Sequence, residues 1–421
     1  MRRAVVTGLG VVAPGGTGVA GFWDLLTSGR TATRALTRFD ASQFRSKVAA
    51  EADFDELDRG LSLDEALRFD RATQFAVAAS RDAMADSGLH DALTAGTLDA
   101  GRCGLALGSA LGCASALDRE YAAGGVRGNR RATAAMPAPE RLYDYLTPSS
   151  MAAEAARAVG ARGPVALLSS GCTSGLDAIG HAADLVREGS ADVVVTGGCE
   201  APISPVVLAG FDAVRLASYH CNEAPAGAAR PFDRNRDGFV LGEGAAVLVV
   251  EEFGHARRRG AHVYGEIAGF GARSNAYHMT GLRADGAELA EAVRTALDEA
   301  RIDPGAVDHV AAHGAGTRRG DIHETTALKR ALGTHAHRVP ISAVASMLGY
   351  SLGALGAFGV AACLLAVEHG VVPPTANLHE SDPDCDLDYT PLTAREQRTV
   401  TALAVGSGFG GTQSALVLCR V

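Results

Sequence analysis

The sequence predicts an α/β protein with buried sheets, on three observations. Short β-branched runs alternate with Ala-rich stretches of helical period. Glycines gather where those runs end, at points where a backbone must turn sharply or approach a ligand. No long linker or low-complexity tract interrupts the alternation.

Taken in order, the first strand is expected at Ala4–Gly8. The opening MRRAVVTGLGVVAPGG has the charge and apolar run of a signal peptide, but the run is short, β-branched and broken by Gly8, Gly10 and Pro14. It therefore reads as a strand and a turn. Helices follow at Phe22–Ser28 and Asp70–Ser87, then strands at Cys103–Gly108 and Val165–Leu168, a helix at Thr173–Glu188, and strands at Asp192–Gly197 and Ala246–Val250. The charged stretch Phe253–Ala261 is the best candidate seam. Beyond it come a helix at Ala287–Ala300, a strand at His309–Ala312, helices at His323–Leu332 and Leu352–Glu368, and a strand at Thr401–Val405. Two fragments, ADVVVTGG and VDHVAAHGAG, share an Asp, a β-branched run and a Gly-rich exit, which hints at a duplicated half.

The chain has 421 residues, enough for one large domain or two fused medium ones. Its net charge of −9 and the lack of a basic run or basic-aromatic stripe leave a nucleic-acid surface without support. Lysine occurs only at Lys47 and Lys329 among 39 basic residues, a compositional bias toward Arg. No stretch reads as an unbroken 18-residue apolar span, so no membrane segment is expected. The eight cysteines show no CxxC pair and no Cys/His cluster, so neither a metal site nor a disulfide scaffold is expected. That usage suits a reducing, cytoplasmic setting.

Three segments carry chemistry. In PVALLSSGCTSGLDAIGHAADLV, residues 164–186, a strand ends, Gly171 permits a tight turn, and Cys172 sits where a helix starts. Unpaired N–H groups and the positive dipole end at that position favour thiolate and lower a cysteine's pKa. Cys172 is then either a nucleophile in a Cys version of the nucleophile elbow or a packed structural cysteine. In VAAHGAGTRRGDIHETTALKR, residues 310–330, a strand delivers His313 onto a glycine loop, and Asp321 is placed to cap the next helix. His313 reads as a base or a donor to a thioester carbonyl, or else as a satisfied surface histidine. His323 reads as structural. In GSGFGG, residues 406–411, Phe409 is either a core residue of a tight turn or an oxyanion donor whose ring gates a pocket.

Together with RPFDRNRDGFVLGEGAAVLVVEE, RSNAYHMTGLRADG and VVPPTANLHESDPDCDLDY, these segments make the chain resemble the β-ketoacyl-ACP synthases over nearly its whole length. It is most similar to the ketosynthase (alpha) subunits of bacterial type II polyketide synthases. The resemblance implies a thiolase fold, with two similar halves (1–252 and 253–421) in α-β-α-β-α layers. It implies a dimer, with itself or with a related subunit. It also implies acyl groups arriving on the phosphopantetheine arm of an acyl carrier protein, with no cofactor bound by the enzyme itself. By the same resemblance Cys172 is the nucleophile and His313 the first active-site histidine. Phe409 is the gate, whose N–H shares the oxyanion hole with that of Cys172. Thr280 and Thr317 line the pantetheine channel, where Ala315 replaces a second threonine. Cys113, Ser115, Tyr143 and Tyr145 fall in segments that contribute to the dimer interface and acyl tunnel.

The chain departs from the family in ISAVASMLGYSLGALGAFGVAAC. Ala345 stands at a Lys position, Tyr350 at the second His and Gly359 at a Glu, while the intervening residues hold the register. In the family the two histidines stabilise the enolate of a decarboxylating malonyl thioester, and the Lys and Glu form a buried pair. Losing one partner of such a pair strands a charge at about 3–5 kcal/mol, whereas losing both can be near neutral. A phenol donates one hydrogen bond but, with a pKa near 10 in water, is a poor proton-transfer match at neutral pH. The expected activity is therefore acyl transfer through acyl-S-Cys172, with decarboxylative extension impaired and an O, N or S nucleophile as acceptor. The alternatives are an active decarboxylating ketosynthase using Tyr350, and a non-catalytic partner resembling a chain-length factor.

Overall fold

The computed structural model describes residues 2–123 and 142–421. The first half contributes strands β1 (Ala4–Ala13), β2 (Cys103–Gly108), β3 (Val165–Leu168), β4 (Val193–Glu200) and β5 (Gly244–Glu252). Its main helices are α1 (Arg71–Asp86), α2 (Ser149–Val159) and α3 (Ser174–Glu188). The second half contributes β6 (Gly265–Ser274), β7 (His309–Ala311), β8 (Ile341–Ser342), β9 (Thr401–Ser407) and β10 (Thr412–Cys419). Its helices are α4 (Ala287–Ala300), α5 (Arg318–Leu332) and α6 (Leu355–His369).

The strand order runs β8-β7-β9-β10-β6-β1-β5-β4-β2-β3. Counted outward from the middle, the first half reads first, fifth, fourth, second and third strand, and the second half repeats that order. The directions repeat as well. The inner two pairings of each half are antiparallel and the outer two parallel. A short antiparallel contact, Val5 with Glu266 and Val6 with Gly265, joins the halves.

Helices α3 and α6 pack against strands of both halves and against each other. Helices α1 and α2 cover the outer face of the first half, and α4 with α5 that of the second. These are the five layers of a thiolase fold. In α6, 13 of 15 residues are buried, which explains why it shows no polar face. The span Leu352–His369 is apolar and long enough to cross a membrane by composition, contrary to the expectation from sequence, yet 89% of it is buried inside the protein. The close approach of α3 and α6 needs glycine at the contact. A Cβ on Gly175 would sit 2.7 Å from the Gly353 carbonyl oxygen, and one on Gly356 would sit 2.5 Å from Leu176.

Several element boundaries shift from the sequence reading. β1 runs on to Ala13, because its partner β5 pairs along almost the whole length. α5 begins at Arg318 rather than His323, capped by the Thr317 side chain, which accepts from the Gly320 N–H. Asp321 is therefore not the cap. It lies fully buried in the first turn, accepting from the N–H groups of Phe232 (2.9 Å) and Gly316 (3.0 Å) and paired with Arg236 at 2.9 Å. All eight cysteines are free.

Candidate active site

The nucleophile segment folds as the glycine demands. Gly171, at φ 69°, opens a 3₁₀ turn over Gly171–Thr173, and α3 follows at Ser174. Asp177 ties this turn down, accepting from the hydroxyls of Ser170, Thr173 (2.9 Å) and Ser414 (2.5 Å). Thr412, at the start of β10, donates to the Ser170 carbonyl at 2.9 Å. The 406–411 loop thus lies directly over the turn. A Cβ on Gly408 would sit 3.2 Å from the Cys172 amide nitrogen, and the Phe409 N–H points at the Cys172 sulfur.

Cys172 is only 4% exposed. Burial pushes its thiol above the ordinary value, against hydrogen bonds from the Tyr350 hydroxyl and the Phe409 N–H. This corrects the expectation of a lowered pKa: the desolvation of a wholly enclosed sulfur outweighs the turn's N–H groups. At neutral pH the Cys172 side chain is therefore a thiol, and any attack by its sulfur would need a base.

His313 stands at the exit of β7, two residues beyond Ala311. The N–H groups of His313 and Gly314 donate to the two oxygens of Glu324, at 2.7 and 2.9 Å, which clamps the loop to α5. Burial pulls the His313 imidazole down to about 4, so it is neutral across physiological pH. Burial pushes the Glu324 carboxyl up to about 8. Among the described residues no Lys, Arg or His side chain pairs with it.

Tyr350 stands between thiol and imidazole. Its hydroxyl lies 3.0 Å from Nε2 of His313 and also bonds the Cys172 sulfur. Burial and the neighbouring sulfur push the phenol well above its ordinary value, so it remains protonated. Ala345 and Gly359 are buried in the same core as Cys172 and Tyr350. A Cβ on Gly359 would meet the Ala311 methyl at 3.6 Å, an ordinary contact with an apolar neighbour.

A cleft of about 680 Å³ leads to these residues. Thr280, Ala315 and Thr317 line it, and it reaches His313, Glu324, Tyr350 and Phe409. Cys172 lies behind Tyr350 and Phe409, outside the lining. His323 is buried on α5, its Nδ1 2.6 Å from the Arg283 carbonyl oxygen, and its charge also acts on His313. The residues expected near the dimer interface and acyl tunnel make the following contacts within the chain. Ser115 donates to Asp70 at 2.8 Å, Tyr145 to the Arg68 carbonyl at 2.9 Å, Cys113 lies 3.6 Å from the Thr73 hydroxyl, and Tyr143 is exposed. Sequence reasoning missed Glu324, although its spacing of three from Asp321 puts both acids on one face of α5. Among the described residues no group of three or more His, Cys, Asp or Glu is placed to hold a metal.

The beta-ketoacyl synthase N-terminal domain matches residues 1–256, and the beta-ketoacyl synthase C-terminal domain matches residues 264–379. The chain belongs to the beta-ketoacyl synthase family. Within the family it is 58% identical over 419 residues to the granaticin polyketide putative beta-ketoacyl synthase 1 of Streptomyces violaceoruber, covering 100% of this chain and 98% of that one. It is 56% identical over 419 residues to the tetracenomycin polyketide synthase ketoacyl synthase alpha subunit of Streptomyces glaucescens, covering 100% and 97%. Among solved structures it superposes, with a TM-score of 0.91 and 35% identity, on a type II polyketide synthase acyl-carrier protein in complex with its ketosynthase bound to the hexaketide. That match covers 100% of this chain and 99% of the other.

Proposed function

We propose that the protein is an acyltransferase of polyketide biosynthesis that carries acyl groups on Cys172, with decarboxylative extension impaired. The repeated topology supports division into an N-terminal half, 1–252, carrying the nucleophile, and a C-terminal half, 253–421, carrying His313 and the Phe409 loop. Acyl groups arrive on the phosphopantetheine arm of a carrier protein, as expected from the solved carrier complex. Thr280 and Thr317 line its path.

In the loading step the Cys172 sulfur attacks the thioester carbonyl. Its proton passes to the Tyr350 oxygen while the phenol proton passes to Nε2 of His313. The tetrahedral oxyanion is held by the N–H groups of Cys172 and Phe409. The bond to the pantetheine sulfur then breaks, and that thiolate takes the proton back from His313. An O, N or S nucleophile reverses the sequence to release the acyl group.

The single observation that carries this reading is Tyr350. Its phenol occupies the place of the second imidazole and is already committed to sulfur and His313, so it is a weak partner for a malonyl enolate. The identity of 58% to a ketosynthase favours a second reading, an active decarboxylating enzyme in which Tyr350 suffices. Retained Cys172 and His313 weigh against a non-catalytic partner subunit. The test is intact-mass analysis after incubation with acyl-carrier thioester, followed by malonyl-carrier protein. The expected result is an adduct on Cys172 without carbon dioxide release. Rapid release with a β-ketoacyl product would establish the second reading instead.

A further inference from the structure

Tyr350 belongs to the second half of the chain, yet what holds it comes from the first. The stretch before β5 brackets it on both sides: the Tyr350 N–H donates to the Val240 carbonyl at 2.6 Å, and the Gly242 N–H donates to the Tyr350 carbonyl at 3.0 Å. The Phe239 ring then stacks on the phenol, with centroids 4.9 Å apart and planes at 26°. The imidazole of His313 meets the phenol edge-on, at 5.4 Å and 86°. The phenol is thus fixed in position by the backbone and in ring plane by Phe239. Phe239 is itself held edge-to-face by Phe211 at 5.0 Å, and Phe211 lies 6.4 Å from the gate ring of Phe409. A line of rings therefore runs from the mouth of the site to the hydroxyl that bonds the nucleophile. Phe239 is buried and lines the cleft, but no polar atom of its side chain can take part in chemistry.

We infer that Phe239 is a positioning residue, whose ring orients the Tyr350 hydroxyl onto the Cys172 sulfur and so sets the reactivity of the thiol. The inference rests on the reading of Cys172 as the acyl carrier, but it is testable without any carrier.

The experiment measures alkylation of Cys172 by iodoacetamide as a function of pH, resolved from the other cysteines by peptide mass. Tyr350→Phe removes the hydrogen bond to sulfur and should move the half-rate pH upward. Phe239→Leu should move it in the same direction while leaving the hydroxyl in place, and Phe239→Tyr, which keeps an aromatic face, should stay close to the native profile. In the double variant Phe239→Leu/Tyr350→Phe the shift should equal that of Tyr350→Phe alone, because Phe239 acts only through the hydroxyl. Additive shifts, or an unchanged profile in Phe239→Leu, would overturn the inference. If Phe239→Leu does not fold, Phe239→Met, which also lacks an aromatic face, completes the same cycle with and without Tyr350→Phe. Failure of native protein to form an acyl adduct would instead remove the acyl-carrier reading and leave the alkylation result standing.

Discussion

The phenol oxygen of Tyr350 lies 3.0 Å from Nε2 of His313 and bonds the Cys172 sulfur as well. One hydroxyl thus joins sulfur and imidazole in a neutral chain of thiol, phenol and imidazole. No formal charge has to be desolvated in the resting state, which suits a site where all three groups are buried.

Replacing Tyr350 by His returns a second imidazole to the site. Carbon dioxide release from malonyl-carrier protein should rise by at least about tenfold, part of the roughly 10²–10³ that one oxyanion-type donor carries. Tyr350→Phe should slow Cys172 acylation without restoring release. Radiolabelled carbon dioxide capture and intact mass read the two effects separately. Fast release by the native protein would defeat the expectation.

The pH dependence of stability follows from Glu324. Its folded carboxyl titrates at about 8 against an ordinary 4.5, because it is buried. Folding therefore binds a proton in that interval, and the contribution is fully present below about 4.5 and lost as pH rises through 8. Glu200, pushed up to about 7 by burial, and Asp321, pushed up to about 6, act with the same sign. His313, pulled down to about 4, has the opposite sign but only between 4 and 6.5. Between pH 7 and 8 the Tm of native protein should fall, and Glu324→Gln should flatten that fall while lowering Tm at pH 6. The slope removed is at most about 1.4 kcal/mol per pH unit. A parallel pair of Tm curves would contradict the assignment.

The fold was legible because its signals are local. β-branched runs, glycine exits and helical period located most elements, but the fragments ADVVVTGG and VDHVAAHGAG fall on β4 and β7, the fourth strand of one half and the second of the other, so the repeat is real while that pair of fragments does not mark it. Cys172 and His313 were legible for the same reason, since each sits at the glycine exit of a strand. What the sequence could not show was the balance of burial against hydrogen bonding at Cys172, which reverses the expected direction of its pKa. Nor could it show that Phe239, 111 residues upstream, would lie flat on Tyr350. The length of α6 was legible but its setting was not: only the surrounding layers tell a central helix from a membrane span.

Asp321 and Arg236 should be a stability determinant linking the two halves. Both side chains are fully buried, and the carboxylate also holds two backbone N–H groups. Asp321→Ala strands the guanidinium, although Asp382 at 2.7 Å keeps part of its compensation. The expected loss is about 3–5 kcal/mol, read as a lower urea midpoint. Arg236→Met/Asp321→Ala should recover part of it, because no buried charge is left unpaired. A double variant less stable than Asp321→Ala would show that packing, not charge, dominates there.

The gate makes a kinetic prediction. The cleft reaches Phe409 and Tyr350, and the sulfur lies behind them at 4% exposure. Phe409→Ala removes the ring but keeps the N–H that points at the sulfur. Alkylation of Cys172 by a small reagent at fixed pH should therefore accelerate several-fold. Cys103 and Cys199, fully buried in the first half, should react no faster than before. Acceleration at all three would mean that the substitution loosens the whole molecule. No change at Cys172 would mean that Tyr350, rather than the Phe409 ring, closes the path, and Tyr350→Ala would then be the variant that opens it.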